Sequence, residues 1–200
     1  MALDPEIAKL LVELHAPDTD TRGNAVVALR DHTHAPEVQH ALRAAIHDPD
    51  GYVRMLAAEA LARKALFVQD VIPLLIAVLE VGDQADTARI PVSKQWRRVA
   101  AGVIGKYGRD AAPAIAALRN ALLDPDINIR GYAAMSLGAV GPAAIHALQD
   151  LRAARQSEED GNLRKVYEEA IKKIVQSEHF IVIAKDDLPE EGWDNPRMRR

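Results

Sequence analysis

The stretch Asp48-Pro49-Asp50-Gly51-Tyr52-Val53-Arg54-Met55-Leu56-Ala57-Ala58-Glu59-Ala60-Leu61-Ala62-Arg63-Lys64 reads as an acidic turn opening an apolar helix, and its pattern returns along the chain. Asp124-Pro125-Asp126-Ile127-Asn128-Ile129-Arg130-Gly131-Tyr132-Ala133-Ala134-Met135-Ser136-Leu137 matches it nearly residue for residue, and the segment from Ala16 through Arg22 to Leu29 matches it more loosely. The arginines Arg22, Arg54, Arg97, Arg130 and Arg164 mark the register, with spacings of 32, 43, 33 and 34 residues. A period near 33 is the mark of a repeat array, and the longer spacing holds an insertion of roughly ten residues. The prolines give a second series. Pro5, Pro36, Pro73, Pro113 and Pro142 each precede an apolar run, as expected of a residue whose missing N–H costs nothing at a helix start.

This pattern resembles the HEAT-repeat family, in the short bacterial form labelled PBS-lyase HEAT-like. The residues that carry the resemblance are the turn Asp48-Pro49-Asp50, Val53-Arg54 and the Ala57 to Leu61 segment, their counterparts from Asp124 to Leu137, and weaker copies around Arg22, Arg97 and Arg164. No Thr-Pro-Leu-His and no Trp-x-x-Leu-Gly-x-x-Tyr occurs, so the ankyrin and tetratricopeptide patterns of similar period do not fit. The resemblance implies an all-α solenoid of about five antiparallel helix pairs. It runs over residues 1–176, with repeats at 4–34, 35–66, 67–109, 110–140 and 141–176, a loop insertion at 82–93, and an extended, non-repetitive tail at 177–200.

Composition agrees with helix-on-helix packing: aromatic residues make up only 4% and alanine is abundant, and small side chains let helices approach closely. A net charge of −4 argues against a global nucleic-acid footprint. There is no cysteine, so no disulfide, thiolate zinc site or iron–sulfur cluster can form. Neither a basic, apolar leader nor an apolar run of membrane-spanning length occurs. The expected setting is cytoplasmic, with no membrane association.

The resemblance implies a structural ladder in which Arg22, Arg54, Arg97, Arg130 and Arg164 bond to turn carbonyls and to Asp18, Asp48, Asp50, Asp124 and Asp126. Metal and catalytic constellations are weak by comparison. His40 and His47 lie two helical turns apart, too far for one metal; His32 and His34 read as solvated turn residues. The His-Glu dipeptides of the di-iron HEAT hydroxylases do not occur. Gly102, Gly105 and Gly108 around Lys106 form neither a dinucleotide fingerprint nor a P-loop, and they read as close helix packing with Gly108 as a helix stop. No nucleophile–base–acid arrangement emerges, so no catalytic residue, metal or cofactor is expected.

In HEAT arrays the second helix of each pair lines the concave face. Opposite the Val53/Ala57/Ala60/Leu61 stripe, helical spacing sets Tyr52, Met55, Glu59 and Arg63. The same frame gives Gln95, Arg98, Gly102 and Lys106 in the third pair, and Asn128, Gly131, Met135 and Ala139, with Tyr132 beside them, in the fourth. Tyr, Met and Arg are favoured at protein-binding surfaces. The leading expectation is therefore a non-enzymatic scaffold, adaptor or inhibitor. It would bind a partner protein through Tyr52, Met55, Glu59, Arg63, Arg98, Lys106, Tyr132 and Met135, and the 82–93 loop is a second candidate surface. The resemblance also implies two alternatives: a phycobilin-lyase or chromophore-chaperone role, and a HEAT-like DNA-binding or DNA glycosylase role. The second would need a basic strip built from Arg63, Lys64, Arg97, Arg98 and Lys106.

Overall fold

The computed structural model describes residues 4–80 and 94–186, excepting the side chains of residues 94 and 177–186. The 82–93 insertion and the tail beyond residue 186 lie outside the described residues. Five helix pairs follow in order: α1 (Pro5–Glu13) with α2 (Thr19–Leu29), α3 (Pro36–Ala45) with α4 (Gly51–Ala62), α5 (Val68–Glu80) with α6 (Lys94–Ile104), α7 (Ile115–Ala121) with α8 (Ile127–Val140), and α9 (Leu148–Ser157) with α10 (Gly161–Asp186). Short 3₁₀ segments at Arg30–His32, Gly105–Ala114 and Gly141–Ala147 lead into the next repeats. The array is an all-α solenoid in which second helices stack on second helices, α2 on α4, α4 on α6, α6 on α8 and α8 on α10.

Four of the second helices, α2, α4, α8 and α10, start the same way. Asp18, Asp50 and Asp126 stand at the N-cap and accept from Thr21, Tyr52 and Asn128 backbone amides at 2.8 to 2.9 Å. Asp160 does the same for Asn162 and Leu163. These bonds satisfy amides that have no partner inside the helix. Three and four residues after the arginine, small side chains pack the seam between helices: Ala25, Ala57, Ala58, Ala100, Ala101, Ala133 and Ala134 are fully buried. Leu29, Leu61, Ile104 and Leu137, seven residues after it, fill the space behind.

The closest approach between second helices falls at glycine. A Cβ on Gly138 would lie 3.0 Å from Ala170 Cα, and one on Gly105 would lie 2.6 Å from Ser136 Oγ. Ser136 Oγ instead donates to the Ala101 carbonyl at 2.6 Å. Gly108, with φ of 53°, turns the chain into the next repeat.

Two expectations are corrected. Pro5 and Pro36 open their helices, but Pro73 sits inside α5, which already begins at Val68. The reason lies in the preceding turn, where Ala65 and Phe67 both take positive φ, 50° and 51°, and redirect the chain early. Leu66, between them, is held by Tyr107, whose hydroxyl donates to the Leu66 carbonyl at 2.9 Å; burial pushes the Tyr107 phenol pKa up. The second correction concerns the C-terminal side. α10 continues past Gln176 to Asp186, so residues 177–186 form helix and not an extended strip.

Two stability outcomes follow. Left-handed backbone costs a non-glycine residue roughly 1–2 kcal/mol, so Ala65→Gly is expected to stabilise the chain by about 1 kcal/mol, and Tyr107→Phe, which removes the bond holding that turn, to destabilise it by about the same amount. Gly138→Val is expected to cost about 1–3 kcal/mol through overpacking against Ala170, whereas Leu123→Ala at a fully solvated position changes stability by less than about 0.5 kcal/mol. Denaturant unfolding followed by circular dichroism measures all four.

Candidate functional site: the concave face

The arginine ladder fixes how one repeat sits on the next. Arg22 donates from Nη1 to the carbonyls of Ala16 and Pro17, and its Nε and Nη2 fork onto Asp48 of the following repeat at 2.8 and 3.0 Å. Arg130 repeats this with the Asp124 and Pro125 carbonyls and with Glu158, and Arg97 donates to Asp124. Arg54 holds the Asp48 and Pro49 carbonyls at 2.6 and 3.0 Å. The acceptors Asp48, Asp124 and Glu158 stand six residues before the next arginine, and each also accepts the amide two residues on.

This corrects the expected acceptor set. Asp18 and Asp50 are helix caps and not ladder acceptors, because their carboxylates are already turned onto the amides of their own helices. Glu158 takes the acceptor role in the last repeat, where an aspartate-based pattern does not find it. Arg164 is exposed, with no described repeat after it to supply a carboxylate.

Asp126 has two roles. It caps α8 and receives Arg98 from α6, and the Arg98 guanidinium, helped by the Asn128 and Ile129 amides, lowers its pKa to about 2. A folded-state pKa below the ordinary carboxylate value of about 3.9 means that this group stabilises the fold above about pH 4, and that its contribution is lost as pH falls toward 2.

With the repeats held in this register, the second helices turn one stripe outward. The stripe holds Tyr52, Leu56, Glu59 and Arg63 on α4, then Gln95, Val99, Gly102 and Lys106 at the same positions of α6 and the turn after it. Asn128, Tyr132, Met135 and Ala139 follow on α8, and Asn162, Val166, Glu169 and Lys173 on α10. The middle of this stripe, from Glu59 across α6 and α8 to Lys173, lines a groove of about 670 Å³. Its floor is Val99, Gly102, Tyr132 and Met135, with Tyr132 42% and Met135 55% exposed. At one end Tyr52 meets Trp96 edge to face, with centroids 5.7 Å apart.

Glu59, Arg98, Lys106, Tyr132 and Met135 therefore share one groove. Tyr52 and Arg63 do not line it: Tyr52 packs on Trp96, and Arg63 pairs with Asp31 at 2.5 Å. Met55 is a correction: it is fully buried. Its position, one after the ladder arginine, faces the next second helix, as a Cβ on Gly23 would show by meeting Tyr52 at 2.8 Å. The outward residue is Leu56. Two residues escaped the sequence reading. Trp96 stands where other repeats have the buried aliphatics Val53 and Ile129, and so bulky a side chain at that position was the available signal. Lys173 emerges by carrying the Arg63 position into the last helix.

Among the described residues no cluster of three or more His, Asp or Glu side chains is arranged to hold a metal, and no helix is long and apolar enough to cross a membrane. The HEAT-repeat family model matches residues 7–90 and 92–172. The chain belongs to the HEAT-repeat family. Among solved structures it is similar to an engineered protein, at 19% identity, over 85% of this chain and 79% of that one, with a TM-score of 0.62. It is also similar to the complex of CpcE and CpcF of phycocyanin lyase from Nostoc sp. PCC7120, at 17% identity, over 82% and 96%, with a TM-score of 0.56. At these identities the likeness is one of fold. No curated protein matches the chain.

The ladder gives two predictions. Asp124→Ala leaves the Arg97 guanidinium largely buried without its carboxylate and is expected to cost about 3–5 kcal/mol. Asp150→Ala, which removes the exposed Arg119 pair, should cost less than about 1 kcal/mol; thermal unfolding of both variants measures the contrast. In a pH series, the stability gap between the intact chain and Asp126→Asn is expected to narrow as pH falls from about 5 to 2.

Proposed function

We propose that the protein is a non-enzymatic scaffold or adaptor that takes a segment of a partner protein into its concave groove. The observation that carries this reading is the exposed Tyr132 and Met135 pair on a preformed apolar floor, ringed by Glu59, Arg98, Lys106 and Lys173. A large apolar contact area with a charged rim is the anatomy of a protein-binding surface. The HEAT solenoid supports it, since such arrays offer extended concave faces, and the similar CpcE and CpcF are found as a complex with one another.

That likeness favours the chromophore-chaperone role as the second reading, for which the same groove has room. The DNA-binding reading loses support. Of its five candidate cations, Arg63, Arg97 and Arg98 are engaged with Asp31, Asp124 and Asp126.

The test is affinity capture from native lysate with the intact chain and with a Tyr132→Glu/Met135→Glu variant, both sites being exposed and tolerant of charge. One protein retained by the intact chain and lost by the variant supports the reading. Equal retention removes the groove from the function. Absorbance of a bound tetrapyrrole in place of a protein supports the second reading.

A further inference from the structure

We propose that the groove takes an extended, polyproline II segment of the partner protein, in which two carboxylates lie about six residues apart with an apolar side chain midway between them. The inference rests on the groove reading above and adds the conformation and chemistry of what binds.

The first argument is period. Equivalent residues of α6, α8 and α10 recur once per helix, and packed helices stand about 8–10 Å apart. A polyproline II segment turns once in three residues and rises about 9 Å as it does so, so every third residue meets the next helix with the same face. A β-strand reverses its face over three residues. Of the two extended conformations, only the first keeps step with the array.

The second argument is the main chain. Gln95 and Asn128, at equivalent positions of α6 and α8, line one side of the groove, and Asn162 continues the row on α10. All three residues are exposed, and none of their carboxamides has a hydrogen-bond partner among the described residues. A polyproline II chain leaves its carbonyls unbonded, and a carboxamide offers them two N–H donors. A helical ligand would leave the row idle, because its carbonyls are bonded within the helix.

The third argument is charge. Across the floor from the carboxamides, about 16 Å along the helix axes, Lys106 and Lys173 line the groove two helices apart, with Ala139 of α8 between them. Lys106 is exposed and forms no ion pair among the described residues. Arg98 is engaged with Asp126, and Glu169 with Lys172. Glu59 borders the α4 end and confines the acidic positions to α6 and beyond. Two helix spacings match six polyproline II residues, about 19 Å, so carboxylates with that separation meet both lysines. The residue midway between them falls on α8, over Tyr132 and Met135, the exposed apolar side chains of the floor.

The probe is a fluorescein-labelled heptapeptide, Asp-Pro-Pro-Leu-Pro-Pro-Asp, titrated with the full chain and read by fluorescence anisotropy. It is expected to bind at least about tenfold tighter than the same peptide with lysine at both ends, or than one whose carboxylates are four residues apart. Lys106→Glu/Lys173→Glu is expected to reverse the charge preference, and Gln95→Ala/Asn128→Ala to weaken binding about tenfold, each variant being confirmed folded by circular dichroism. Absence of heptapeptide binding overturns the proposal, as does binding that ignores the end charges, the lysine variant or the carboxamide variant. Tighter binding of a helix-forming peptide with the same acidic ends makes the ligand helical and overturns it equally. The groove reading fails separately, when partner retention ignores Tyr132→Glu/Met135→Glu. Retention that depends on those two residues, with no heptapeptide binding, leaves that reading standing and removes this one.

Discussion

The structure depends on one arrangement: a guanidinium anchored at Nη1 to two carbonyls of its own turn, with its remaining edge directed at a carboxylate of the next turn. Arg22 with Asp48 and Arg130 with Glu158 show it in full, and Arg97 with Asp124 shows its inter-repeat half. The planar fork of arginine suits this task, since one rigid group must satisfy acceptors on two repeats at once. The carboxylate it meets also shapes the following turn by accepting an amide two residues on. Register between repeats and the conformation of the turn are therefore set by the same atoms, and both ions are largely withdrawn from water, so removing either partner strands the other.

Once that register is imposed, the remaining sequence choices follow from how little space it leaves. The seam between second helices admits alanine over most of its length, and only glycine where Gly105 meets Ser136 and Gly138 meets Ala170. Rows of side chains at equivalent positions then align across α4, α6, α8 and α10. The concave groove is the outward consequence of this alignment. Its character varies along the array because the outward row is free of packing demands, reading Arg63, Lys106, Ala139 and Lys173 at one position and Glu59, Gly102, Met135 and Glu169 at another.

The solenoid was legible because its determinants are local and periodic: the Asp-Pro-Asp turn, the arginine, the paired alanines and the leucine seven residues on all recur. Much of the groove was legible for the same reason, since Glu59, Arg98, Lys106, Tyr132 and Met135 fall near the outward stripe of a helix. Met55 was misread because helical spacing alone cannot tell a face turned to solvent from one covered by the next repeat, about 100° away around the helix. Asp50 was legible as a helix cap, but that Asp48 alone of the two accepts the ladder arginine was hidden. Both are turn aspartates, and only the three-dimensional offset between repeats decides which of them meets the arginine of the neighbour. The early start of α5 has a similar origin, in the two left-handed residues Ala65 and Phe67, neither of which announces itself as a turn former.

One position departs from the ladder in a telling way. Where Asp48, Asp124 and Glu158 stand in later repeats, the first repeat has Ala16, whose carbonyl serves Arg22 but whose side chain can accept nothing. At the opposite end, Arg164 is exposed. Among the described residues the first repeat thus offers a methyl group where the later ones offer a carboxylate, and the last repeat turns its ladder arginine to solvent. The ladder therefore has a direction: each carboxylate-bearing turn answers the arginine of the repeat before it, and Ala16 has no described repeat before it to answer.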